Sequence, residues 1–469
     1  MIHVRETEPV EIQRFPHPYQ AAFALASDID SASVPRFRAI HRLFCSNDLI
    51  VENSPEWRTL GLRSSSPWFD RDRGGVPALG LAFADTFFLV GDPTTFGMYR
   101  FLPAEERFAE DEENGENCAA LIRHWIREGQ IDSWHGFLHY ERRQIDPLLR
   151  QFFDWCRREN VAAPRVWFNH SYPVNPAGIC PERLQPSRLL RFARLSVRQV
   201  IGPLVGRKRL PLRYALARYD GDTPGSPFYV NDILAENGLR FVWLNMNDLH
   251  HNRVAVPEHR LNGRSTILHP VTMDDGIRYW RFERCYGSMP GDVHRESYLR
   301  DSDEGCDASH LITEKNLSEL CRCGGTCILY THWTHRRSIP IGDETIGRFI
   351  LLRRGSEAGK IWVTSSAKLL DWTRRRTFLR LRAVREGKRL ILDFEGVEDP
   401  IFGHETVSLK DLHGLAFRLR EPEAAVAVAI HGNVLSPEQL GRSGDLCWLD
   451  ATDPSGHSSI KSGFEARAA

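Results

Sequence analysis

Apolar runs that stop at polar clusters recur along most of the chain, with amphipathic stretches between them. AAFALASDID, from Ala21, is almost continuously apolar until Asp28, the pattern of a parallel strand covered on both faces. VPRFRAIHRLFCSND follows with apolar residues at helical spacing. DPLLRQFFDWCRREN, VNDILAENG and ITEKNLSELCRCGG carry the same period, the last two closing on glycine. VWFNH, LRFVWLNMND and TCILYTH read as strands. Each predicted strand ends in polar residues: Asp28 and Asp30; Asn169 and His170; Asn245, Asn247 and Asp248; Thr331 and His332. Repeated strand–helix units with chemistry at successive strand carboxyl ends predict an α/β fold, a parallel barrel with its site on one face. GKIWVTSSAKLLDWTRRR reads as a helix closing this unit.

The pattern changes near residue 376. FLRLRAV and LILDFEG alternate around a turn at EGKR, and VSLKDLHGLAFRL and AAVAVAIHG add short strand candidates with little helix between them. The predicted organisation is a barrel over 1–375, a small β-rich domain over 376–450 and a polar, flexible tail over 451–469. No internal repeat is visible.

Composition narrows the function classes. Of 469 residues, 42% are hydrophobic and 26% charged, enough to bury a large core. Lys+Arg 61 balances Asp+Glu 61, so the basic excess of a nucleic-acid partner is missing. No apolar run approaches the ~18 residues of a membrane span, and the N-terminal residues lack a signal-peptide pattern, so a cytoplasmic location is expected. The ten cysteines show no paired spacing. Cys321, Cys323 and Cys327 lack the second half of a metal knuckle and read as helix-end and strand cysteines. Nucleotide loops and a Gly-x-Ser-x-Gly elbow are absent.

The chemistry-bearing candidate is Trp134-His135-Gly136-Phe137-Leu138-His139. On a helical turn, two histidines four apart share one face and can share one metal. With 19 histidines, roughly 0.7 such pairs arise by chance, so the context decides. A third ligand is needed, and Asp30 at the first strand's end is placed to supply it. Asp28 then remains as a candidate base; the competing reading has both carboxylates capping the helix that starts near Val34. Tyr330-Thr331-His332-Trp333 puts another histidine at a strand end.

These residues resemble the motifs of the polysaccharide deacetylase family, carbohydrate esterase family four and its relatives. Ser27-Asp28-Ile29-Asp30 resembles the first motif, His135 and His139 the His-x-x-x-His second, and Leu329-Tyr330-Thr331-His332 the late Leu-x-His strand. The resemblance spans about residues 18–365. It implies a distorted parallel (β/α) barrel with zinc or another divalent metal on Asp30, His135 and His139, Asp28 as base and His332 as acid. The family's Arg-Pro-Pro-Tyr motif is not seen; the corresponding segment reads VWFNHSYPVNP, offering His170 and Asn175 for substrate contact, His170 also as an extra ligand or oxyanion partner. LNMNDLHH, with Asp248, His250 and His251, is only a loose fourth motif. The expected activity is metal-dependent removal of an N-acetyl (or O-acetyl) group from an acetylated carbohydrate. Two alternatives stay open: a carbohydrate-binding or scaffold protein that kept the barrel without turnover, and a metal-free glycosidase using a carboxylate pair.

Overall fold

Every residue of the first apolar run, Ala21–Ser27, is buried in a strand at the centre of an eleven-stranded sheet. The structure is a computed structural model that describes residues 9–29, 32–92, 95–137, 140–169, 177–185, 187, 189, 193, 219–244, 249–251, 254–286, 311–331, 333–334, 341–387, 389–422 and 424–451. The chain divides into two units. The larger holds Ala21–Arg260 and Ser265–Thr373; the smaller holds Met1–Gln20, Leu261–Arg264 and Arg374–Ala469.

In the larger unit the sheet strands are β1 (Ala21–Ser27), β2 (Ala84–Phe88), β3 (Ile131–Gly136), β4 (Val166–Phe168), β5 (Phe241–Trp243), β6 (Leu249–His251), β7 (His269–Thr272), β8 (Arg278–Arg281), β9 (Arg284–Tyr286), β10 (Thr326–Thr331) and β11 (Ile361–Thr364). Their order is β6-β9-β10-β1-β2-β3-β4-β5-β8-β7, with β11 also paired to β1. All these pairings are parallel except that of β7 with β8. The described residues form eight α-helices: α1 (Val34–Cys45), α2 (Pro55–Leu60), α3 (Cys118–Arg127), α4 (Arg142–Arg158), α5 (Asn231–Glu236), α6 (Glu314–Arg322), α7 (Asp343–Glu357) and α8 (Ser366–Phe378).

The sequence pattern places strands β1, β4, β5 and β10 and helices α1, α4, α5, α6 and α8, and it differs from the structure at two points. WHGFLH begins in strand β3, and the chain enters a strand at Ile361 before α8 begins at Ser366. β-Branched Ile361, Val363 and Thr364 after Gly359 favour extended backbone there. Helix α4 follows its pattern: Ile145, Leu149, Phe152 and Cys156 are buried at spacings of three and four.

The sheet is strongly curled. Strands β10 and β4 are separated by β1, β2 and β3, which on a flat sheet would put them roughly 19 Å apart at about 4.8 Å per strand. The rings of Tyr330 on β10 and Phe168 on β4 are nevertheless 5.2 Å apart. The strand ladder itself is an open path from β6 to β7; among the described residues no pairing closes it into a barrel.

The smaller unit is built of β-structure. Strands β12 (Leu379–Glu386) and β13 (Arg389–Asp399) form an antiparallel hairpin, and β14 (Ala425–Ile430) runs parallel to β13. A second sheet joins Ala416–Leu419, Leu446–Leu449 and Leu440–Ser443 to the strand Val10–Ile12. The sequence pattern assigns residues around Val10 to the barrel; in the structure they pair with residues some four hundred positions later. Arg374, fully buried, bonds Asp399 at 3.2 Å and Glu405 at 2.6 Å. No helix among the described residues is long and apolar enough to cross a membrane.

Candidate active site

Parallel strands deliver their carboxyl ends to one edge of a sheet. Register aligns those ends here: Ser27 faces Asp85 on one side and Thr331 on the other, and Trp134 sits beside Phe87 and Trp167. Asp28 leaves β1 at this edge and is fully buried. Its amide donates to the Thr331 carbonyl at 2.8 Å, and Thr334 Oγ1 donates to its carbonyl at 3.0 Å. Both carboxylate oxygens are engaged. Oδ1 lies 2.5 Å from His135 Nε2, and Oδ2 accepts the Tyr330 hydroxyl. Close polar contacts of this kind in a buried site restrict the side-chain geometry.

His135 is 3% exposed and packs its ring 4.0 Å from that of Phe88. It stands on strand β3, so the helical-turn geometry that suggested pairing it with His139 does not apply. Gly136, next in the chain, takes φ 152°, a conformation that side-chain-bearing residues rarely adopt, and so redirects the backbone directly after His135. Helix α1 is capped by Ser33, whose hydroxyl accepts from the Arg36 amide at 3.4 Å. Asp28 is therefore not the cap; its carboxylate is committed to His135 and Tyr330.

Aromatic rings wall the site. Tyr330 lies 6.3 Å from Trp243, and the guanidinium of buried Arg284 sits 3.1 Å from the Trp243 ring centroid and 3.7 Å from that of Tyr330. This is a cation–π sandwich between strands β5, β9 and β10. Asn169, fully buried just beyond β4, accepts from Trp167 Nε1 at 3.4 Å, while its Nδ2 donor has no partner among the described residues. Arg36 donates to the Trp333 carbonyl at 3.0 Å. Together with the Thr331 and Thr334 bonds, this anchors both chain neighbours of His332.

A second buried acid–imidazole pair lies alongside. His41 Nε2 on α1 is 2.7 Å from Asp85 Oδ2 on β2. Burial pushes the Asp85 carboxyl up, the His41 bond opposes this, and the nearby Asp28 charge adds to the rise. For His41, burial works against the charged ring, but the bond to Asp85 and the neighbouring Cys45 outweigh it and raise the imidazole from 6.5 to about 9. The pair thus holds its proton. Folding takes up that proton, so the stabilisation is complete below pH 6.5 and is lost as pH rises towards 9. The shift corresponds to at most about 3 kcal/mol. Asp222, pushed up to about 7 by burial, changes stability at lower pH, and His269, pulled down to about 4 by burial, does so in acid. Urea unfolding between pH 7 and 9 should therefore show a falling stability that His41→Gln flattens; equal slopes in both proteins would refute the assignment.

Of the residues expected from sequence, the structure brings Asp28 and His135 together. Asp30, His139, His170, Asn175, Asp248 and His332 lie outside the described residues. His135 offers an imidazole nitrogen beside a carboxylate oxygen, the donor types a divalent cation takes. Among the described residues no three His, Cys, Asp or Glu side chains form a metal-holding group. Cys321 and Cys323 end helix α6 and Cys327 lies within β10, as the spacing suggested. Tyr330, Arg284, His41 and Asp85 were not singled out for chemistry by the sequence, and Asn169 was named only among the polar strand ends. Asp85 did leave a signal, a carboxylate inside the apolar run LAFADTFFLV, which is costly unless paired. Comparison with protein-family models finds no match for the chain, and none is found among curated proteins.

Proposed function

We propose that this chain is a metal-dependent hydrolase removing an acetyl group from the nitrogen, or less readily the oxygen, of a carbohydrate derivative, on a barrel of the polysaccharide deacetylase type. The observation that carries the reading is the meeting of Asp28 and His135 at 2.5 Å, from the two segments that resemble the family's first two motifs. The bonding of Asp28 to residues flanking His332 supports it from the third. Zinc or another divalent metal, on Asp30, His135 and His139, would polarise the acetyl carbonyl. Asp28 is the proton acceptor, held in place by Tyr330. His332 gives the leaving amine its proton. Buried Asn169, with His170 and Asn175 after it, supplies polar contacts to the sugar.

One observation favours the reading without turnover. Both Asp28 oxygens meet protein groups, as in a purely structural clamp. An acetate-release screen on acetylated amino sugars, run beside elemental analysis of the same preparation, separates the two. The hydrolase reading expects bound divalent metal and acetate release in the wild type, with most of both lost in folded His135→Ala. Unchanged metal content in that variant removes His135 as a ligand. A metal-free wild type that releases no acetate removes the hydrolase reading.

A further inference from the structure

Cys45 ends helix α1 one turn beyond His41, and its Sγ lies 3.7 Å from His41 Nδ1, while the other ring nitrogen holds Asp85 at 2.7 Å. Sulfur, imidazole and carboxylate thus stand in sequence, the arrangement in which an imidazole oriented by a carboxylate faces a nucleophile and, when protonated, stabilises its thiolate. A histidine four residues before a cysteine on a helix necessarily shares its face, but the carboxylate comes from a different strand. The ring is also clamped, stacked 4.2 Å from Phe37 and packed 4.8 Å from Phe83. The Phe83 carbonyl, 3.7 Å from Sγ, completes the polar surroundings of the sulfur. Access is the second observation. Of the described cysteines, Cys118, Cys156, Cys180, Cys285, Cys327 and Cys447 are buried, whereas Cys45 and Cys321 are half-buried and Cys323 is exposed.

We propose that Cys45 is a peroxide-reactive thiol, a modification site served by the His41–Asp85 pair. The thiol gives its proton to solvent, and the protonated His41 ring holds the thiolate through Nδ1–H. Sγ then attacks one oxygen of a hydroperoxide; the S–O bond forms as the O–O bond breaks. Sulfur is oxidised by two electrons and the peroxide reduced. The hydroxide that departs from hydrogen peroxide takes the Nδ1 proton and leaves as water, so that Cys45 becomes a sulfenic acid and the ring regains a proton from solvent. The retained His41 proton described above suits the ring to this donor role. The inference does not rest on the deacetylase reading.

The test uses the full chain, hydrogen peroxide at low concentration and dimedone to trap sulfenic acid, with peptide mass spectrometry following each cysteine. Exposure alone ranks Cys323 first. The relay ranks Cys45 first, with labelling roughly 10-fold faster or more, and His41→Gln slowing Cys45 by a similar factor while Cys323 labels as before. If His41→Gln does not fold, the wild-type ranking still decides. Cys323 labelling ahead of Cys45, or Cys45 labelling only in denaturant, overturns the proposal; so does a folded His41→Gln that labels at the wild-type rate.

Discussion

Asp28→Asn is expected to lower acetate release by about 10²–10⁴-fold, the usual loss when a proton-transfer group is removed. Asparagine has nearly the same shape and keeps an oxygen for one of the two groups that meet the Asp28 carboxylate, His135 Nε2 and the Tyr330 hydroxyl. It cannot take up a proton. The fold should survive, because the main-chain bonds of residue 28 to Thr331 and Thr334 do not involve the side chain. Asp28→Ala differs: it takes the carboxylate away from a buried imidazole and a phenol, and removing one member of a buried pair typically costs about 3–5 kcal/mol. Turnover and urea midpoint measured on both variants separate the roles. An Asn variant that keeps its rate makes Asp28 a structural clamp, whatever the alanine variant does to stability. Asp30→Asn should by contrast lose metal first and activity as a consequence.

In the smaller unit, Arg374→Met is expected to cost about 3–5 kcal/mol. Arg374 and Asp399 are both fully buried, and Asp399 Oδ1 already accepts the amides of Ile401 and Phe402 at 2.8 and 3.2 Å. Methionine fills much of the same volume but removes the guanidinium that faces the other Asp399 oxygen. Glu405, 27% exposed, can turn to water and should matter less. Replacing both members, Arg374→Met with Asp399→Asn, should recover part of the loss, since the penalty lies in the stranded charge. Hydrogen exchange along β13 gives the readout; protection unchanged by the single substitution would mean the buried pair contributes nothing.

The elements with strong periodicity were legible in the sequence. Ala21–Ser27, α1, α4 and β10 stand where their apolar spacing put them, because a buried strand and an amphipathic helix each require a local pattern. Asp28 was legible as a strand-end carboxylate. His135 was found through its spacing to His139, although the backbone that presents it is a strand. Tyr330 lay inside a quoted motif without a role, since an aromatic in a strand usually reads as core. Arg284 left no signal at all: its position depends on β9 reaching the same sheet as β5, which no local window records. His41 falls on the buried stripe of an amphipathic helix and is indistinguishable there from a packed core histidine. The closed barrel was inferred from repetition and from the family resemblance; repetition predicts parallel pairing and chemistry at one edge, and leaves ring closure undetermined.

The pairing of Val10–Ile12 with Ala416–Leu419 also orders events during synthesis. At about 5–20 residues per second, Val10 leaves the ribosome some 20–80 s before Leu419 is made. For that interval the early strand has an unfilled edge, while nearly all the residues of the larger unit emerge and can fold. The smaller unit is thus begun first and finished last, and its opening strand must stay unpaired without joining another chain. Three residues, one of them the charged Glu11, make a short edge of the kind that resists such mispairing.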